Sequence, residues 1–232
     1  MNNKHTAINR YKHTKQRSLR KLTALFAAVF MMFSFFSCSI DADNGSSVLT
    51  YSEIQRRILW LKDCDYSPFS VGSVWDGAYS SDYTAVYSNG ARVWNWQNYE
   101  SKYCQGFGRM VFDVLFQSHS STASQINYSG ADKTDDRIAW LKNNLRPGDY
   151  LTYGGHVIII YAIDDNKLTV YDNNHGGDPS RYDRKTYFET MGWTSRKYCD
   201  QSGSTIKEQL DRNPGRAFYI VRSDAKVYDD IS

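Results

Sequence analysis

The sequence predicts an α+β fold in which N-terminal helices pack on an antiparallel sheet. Three observations predict it. Residues 52–63 and 107–115 carry apolar side chains at spacings of three and four, the period of one buried helix face. Gly154-Gly155 lead into His156 and a β-branched run, with Asp164-Asp165-Asn166 and a second run at 168–172 behind it; this reads as a buried hairpin. A further strand is expected at 217–221.

The first 21 residues hold seven basic side chains and no acid, and residues 22–37 are apolar or small. Basic, then apolar, then small is the order of a secretory signal. The apolar run is short for a spanning helix. Cys38 follows Ser37, and the polar stretch Asp41-Ala42-Asp43-Asn44-Gly45-Ser46-Ser47 comes next. This resembles a bacterial lipoprotein signal, with Phe35-Phe36-Ser37 where a leucine-led tripeptide is usual. The resemblance implies that Cys38 is acylated and becomes the mature N-terminus; an uncleaved anchor is the other reading. The expected organisation is a signal peptide over 1–37, a polar linker over 38–50 and one domain over 51–232. Either way the chain is expected to be exported and held at a membrane of the bacterial cell envelope, on its periplasmic face or at the cell surface.

The formal charge of +3 belongs to the leader. Removing it takes seven of the 28 basic residues and none of the 25 acidic ones, leaving 21 against 25, a net of −4. A mildly acidic domain gives no reason to expect nucleic acid as a partner. About 180 residues suffice for one domain with a sizeable core. Tyrosine is abundant (18) and proline scarce (4), which suits a β-containing globular domain and not a disordered tail.

Taken in order, residues 52–63 form a helix with Ile54, Ile58 and Leu61 on one face and Ser52 placed to cap it. Residues 67–98 are rich in Ser, Gly, Asn, Tyr and Trp. Trp94 and Trp96 there, with Tyr99 just after, could stack on sugar rings, but large aromatics more often pack beneath a loop. In the second helix Phe107, Val111, Val114 and Leu115 make the buried face, and Cys104 sits at or just before the first turn. Gly106 and Gly108 are poor helix formers, and make sense where another backbone comes close. Residues 117–135 read as irregular, 136–142 as a short helix, Arg146-Pro147-Gly148-Asp149 as a turn and 150–153 as a strand.

The remaining cysteines, Cys64 and Cys199, are candidates for a disulfide in an exported compartment. Two free buried thiols are as consistent with the sequence.

A cysteine at a helix start has a specific chemical use. Unpaired amides and the positive dipole end favour a thiolate there. About fifty residues later His156 opens a strand, where an imidazole is held rigidly and can take the thiol proton and return it to a leaving amine. Its second nitrogen needs a partner to fix the tautomer. If the hairpin turn centres near Asp165, His156 faces Asn174 with Asp172 on the diagonal, both on one face. Either can orient the ring. The backbone N–H of Cys104 is a candidate oxyanion donor. This order of nucleophile, base and polar partner is the papain-like arrangement.

Cys104-Gln105-Gly106-Phe107-Gly108-Arg109 resembles the Cys-x-Gly-Phe motif of NlpC-type cell-wall peptidases, and Pro147-Gly148-Asp149 and His156-Val157 resemble their Pro-Gly-Asp and His-Val segments. Tyr171-Asp172-Asn173-Asn174 is closer to the related CHAP family of cysteine, histidine-dependent amidohydrolases and peptidases, with aspartate where glutamate is commoner. The resemblance spans Cys104 to the last strand. It implies a papain-like (NlpC/CHAP-type) fold, a site of Cys104, His156 and Asp172 or Asn174, and hydrolysis of an amide bond in peptidoglycan through a thioester. It implies no metal and no organic cofactor. His119 and His175 lie in polar loops, and no His-x-x-x-His spacing appears. A monomer acting on peptidoglycan or peptide is the expectation. The rival is a catalytically silent envelope lipoprotein that binds glycan or a protein partner through Trp94, Trp96 and Tyr99. A third reading is acyl transfer to an amine or lipid by the same pair.

Overall fold

The run that follows His156 is β-branched and continuously apolar, so it needs cover on both faces. The computed structural model, which describes residues 48–63, 69–75, 103–116, 122–173, 184–200 and 204–230, places it at the centre of a sheet. These residues all lie within the unit Asp43–Ser232. The strands are β1 (Ala123–Asn127), β2 (Tyr150–Tyr153), β3 (His156–Ile163), β4 (Lys167–Asn173), β5 (Thr186–Gly192) and β6 (Tyr219–Ser223). Their order is β1-β6-β2-β3-β4-β5, antiparallel at each pairing. The helices are α1 (Tyr51–Asp63), α2 (Cys104–Phe116), α3 (Thr134–Asn144) and α4 (Ile206–Arg212). The fold is α+β.

Alternation along β3 sorts its side chains between two cores. Phe107 of α2 meets Tyr171 edge-on, with ring centroids 5.1 Å apart, and Phe112 meets Tyr150 at 6.4 Å. Val157 lies against the same helix at Gly108. Helix α2 is apolar almost all round because α1 packs beside it. Ile54, Ile58 and Leu61 are fully buried, and Arg57 Nη1 donates to the Leu115 carbonyl at 2.6 Å. Leu151, Ile158, Ile160, Leu168, Val170, Met191 and Ile220 form the other core with Ile138 and Leu141 of α3 and Ile206 and Leu210 of α4. Each such aliphatic side chain contributes about 1.5–3 kcal/mol on burial.

Several expectations are met. Ile158 pairs with Asp172 and Ile160 with Val170, the register of a turn centred on Asp165. A bulge at Tyr161 then shifts it by one residue. Asp164 Oδ1 accepts from the amides of Asn166 and Lys167, at 2.7 and 3.0 Å, and closes the turn. Gly148 has φ +87°, which the turn after Pro147 needs. Asp149 accepts the Arg146 amide (2.8 Å) and two bonds from Arg222 (2.9 and 2.7 Å), tying that turn to β6.

Others need correction. Residues 117–135 are not wholly irregular: 123–127 form edge strand β1, and its partner β6 supplies the pairing that Ala-Ser-Gln-Ile-Asn does not advertise. Strand β5 and helix α4 add to the elements expected from the sequence. The α1 cap is Thr50, whose Oγ1 accepts the Glu53 amide at 3.2 Å. Ser52 is turned instead to Asp230, its amide 3.0 Å from Oδ1.

Candidate active site

Cys104 is the first residue of α2 and is buried. The ladder of that helix opens with the Phe107 amide on the Tyr103 carbonyl, at 3.3 Å. Helix geometry leaves the preceding amides, beginning with that of Cys104, outside the ladder. Helix α2 lies low on the sheet at this end because Gly108 lacks a side chain. A Cβ there would come 2.7 Å from Val157 Cγ1 and 3.0 Å from Tyr150 Cε2. What comes close is a pair of side chains, and not the backbone that the glycine suggested.

His156 is delivered by a two-residue turn. Gly154 and Gly155 have φ +58° and +86°, the left-handed pair that a tight hairpin with matched twist requires. Tyr153 and His156 are therefore directly paired across β2 and β3. Asp172 sits on β4, one pleat along the diagonal, and is 1% exposed. His156 Nε2–H donates to Asp172 Oδ2 at 2.7 Å. The imidazole is also hydrogen-bonded to the Cys104 side chain. Nε2 being taken, the nitrogen that serves the sulfur is Nδ1.

The electrostatics follow. Burial alone would push the imidazole down, since a low-dielectric site disfavours the cation. The charge of Cys104 and the bond to Asp172 outweigh it, helped by the bond to Cys104 and the charge of Asp172, and His156 is pushed up to about 10. A proton placed on this ring stays on it at neutral pH. The arrangement is a sulfur, an imidazole beside it and a carboxylate that holds the imidazole.

One contributor was missed. Tyr153 is 1% exposed, its ring 6.0 Å from that of His156 and tilted 70° to it. Its hydroxyl donates to Met191 Sδ at 3.6 Å. It walls the imidazole on the side of the turn. The two glycines fix the register that makes residue 153 its neighbour, a signal present in the sequence.

Asn174, the other candidate to orient the ring, lies outside the described residues, as do Cys38, Cys64, His119, His175, Trp94, Trp96 and Tyr99. Cys199 carries a free thiol. Its Sγ accepts from the Gly192 amide and donates to the Ser204 carbonyl, both at 3.3 Å. Burial pushes the Cys199 thiol up, as suits an inert structural role. Among the described residues no group of three or more His, Cys, Asp or Glu is placed to hold a metal ion, and no helix is long and apolar enough to cross a membrane.

No protein-family model matches the chain, and no curated protein or solved structure matches it either.

Proposed function

We propose that the protein is an exported cysteine hydrolase of papain-like, NlpC/CHAP-type fold that cleaves amide bonds in peptidoglycan. One observation carries the reading: the buried His156 ring is bonded to the Cys104 side chain and, at 2.7 Å, to Asp172. Three residues far apart in the chain converge at one end of the sheet. Export and lipidation at Cys38 are supported by the leader pattern, and the substrate by the motif resemblance and the envelope location.

In the proposed mechanism His156 holds the thiol proton and the Cys104 sulfur attacks the amide carbonyl. The helix-start amide of Cys104 is aimed at the developing oxyanion. The C–N bond breaks as His156 gives its proton to the leaving amine, and a thioester remains. Water, deprotonated by His156, then attacks the thioester and the C–S bond breaks. Asp172 holds the ring with Nδ1 toward sulfur throughout.

Incubating the full-length protein with purified cell wall, beside Cys104→Ala, tests the proposal. The wild type should release soluble fragments and the variant none. Equal release by both excludes Cys104 as nucleophile.

A further inference from the structure

The hairpin turn that delivers His156 is backed by α4 and the turn that follows it. An added Cβ on Gly154 would lie 3.2 Å from the Gln209 carbonyl oxygen and 3.5 Å from Asn213 Nδ2, and that nitrogen donates to the same carbonyl at 3.3 Å. Asn213-Pro214-Gly215-Arg216 then reverse the chain: the Arg216 amide donates to the Asn213 carbonyl at 3.4 Å, and Gly215 takes φ +73°. The reversal lays the exposed Arg216 side chain along Gly155. From a Cβ built on Gly155, Nη1 is 3.8 Å away and Cδ and Cζ are both 3.9 Å away, so the arm runs flat against the turn. The guanidinium carbon is thus within about 9 Å of the His156 Cα. The carboxylates of α4 face other partners. Glu208 takes Arg196 Nε at 2.8 Å, and Asp211 takes Thr134 Oγ1 at 2.6 Å and Lys207 Nζ at 3.7 Å. A guanidinium is always charged, so the structure sets a fixed cation beside the base.

We infer that Arg216 is a specificity-determining residue that binds a free carboxylate on the leaving-group side of the scissile amide. The inference rests on the hydrolase reading above and adds to it the charge of the group released. The imidazolium gives its proton to the departing amine as the C–N bond breaks, so the amino acid carrying that amine lies over His156. Arg216 flanks the turn on which His156 stands, and its arm is long enough to meet that amino acid. The planar fork of a guanidinium matches a carboxylate with two parallel bonds. In an amide built from amino acids, the anion within one residue of the departing nitrogen is the α-carboxylate or an acidic side chain of the leaving residue. Asn213 fixes the reversal against Gly154, so the cation is positioned before substrate arrives. The favoured product amine therefore carries a carboxylate of its own, and a neutral leaving group forgoes the contact.

Two synthetic forms of one stem peptide test this, the first with free carboxylates and the second with every carboxylate replaced by a carboxamide. The full-length protein should cleave the carboxylate form with about fivefold higher kcat/KM, mostly through KM. Arg216→Ala should erase that preference, and Arg216→Lys should restore part of it. Alkylation of Cys104 by iodoacetamide, a neutral reagent, should be equal in the wild type and both variants, which separates lost recognition from a damaged site. Equal cleavage of the two forms by the wild type, or a preference that survives Arg216→Ala, overturns the inference. Binding of the carboxylate form in a Cys104→Ala background gives a readout free of chemistry. Binding that Arg216→Ala weakens, with neither form cleaved by the wild type, retains the carboxylate contact and refutes the hydrolase reading. Binding that Arg216→Ala leaves unchanged refutes the contact itself.

Discussion

His156 and Asp172 lie one pleat apart on neighbouring strands, and the 2.7 Å bond between Nε2 and Oδ2 is buried at both ends. A carboxylate in that position favours the imidazolium and fixes which nitrogen faces sulfur. Asp172→Asn keeps the shape and removes the charge. We expect kcat/KM to fall by a factor on the order of 10²–10⁴, with the fold intact by circular dichroism. A loss of less than about threefold would show that the carboxylate does not position the base.

The pH dependence has a defined sign. His156 is pushed up to about 10 by the Cys104 sulfur and Asp172 against the effect of burial. The proton that the leaving amine needs is therefore present through neutral pH and lost as pH rises through about 10. The alkaline limb of kcat/KM should fall there, as a property of the coupled pair. Asp172→Asn removes a contribution that raises the imidazole, so the limb should move to lower pH. An alkaline limb near the free-imidazole value of 6.5 in the wild type would contradict the geometry.

Two glycines predict different costs for the same added methyl. At Gly108 the new Cβ meets Val157 Cγ1 at 2.7 Å, so α2 must lift from the sheet. Gly108→Ala should cost about 1–3 kcal/mol and lower activity, because Cys104 rides on that helix. At Gly155 the nearest atom, of Arg216, is 3.8 Å away, but φ is +86°. Gly155→Ala should cost about 1–2 kcal/mol from backbone strain alone. Urea unfolding of both variants, with kcat/KM, checks the pair.

What the sequence made legible is what local pattern encodes. The apolar run after His156, the turn at Asp164 and the face of residues 107–115 each announce themselves within a dozen residues. Their register sets His156 opposite Asn174 with Asp172 on the diagonal, and leaves open which of the two orients the ring. Strand β1 did not announce itself, since an edge strand with one large apolar residue, Ile126, is made by its partner. Strand β5 mixes Tyr, Phe, Glu and Met on faces that only β4 sorts. Helix α4 is encoded locally by its cap. Thr205 and Glu208 form a capping box, with reciprocal bonds of 3.1 and 3.0 Å, and Thr-x-x-Glu ahead of an apolar residue is its signature.

The Pro147-Gly148-Asp149 turn carries a stability prediction. Asp149 is 2% exposed and binds Arg222 twice as well as the Arg146 amide. Asp149→Ala strands the guanidinium and the amide. Because the Arg222 side chain keeps 33% exposure, the cost should be about 2–3 kcal/mol, below that of a fully buried pair. A denaturation midpoint unchanged from wild type would show that the link to β6 is incidental.

The coupling between the Cys104 sulfur and the His156 ring is tested most directly by the rate at which iodoacetamide alkylates Cys104 at pH 6, measured by intact and peptide mass in the full-length protein and in His156→Ala. The paired sulfur should react at least tenfold faster in the wild type than in the variant. Equal rates at pH 6 would mean that the imidazole does not sustain a thiolate, and the proposed chemistry would have no nucleophile.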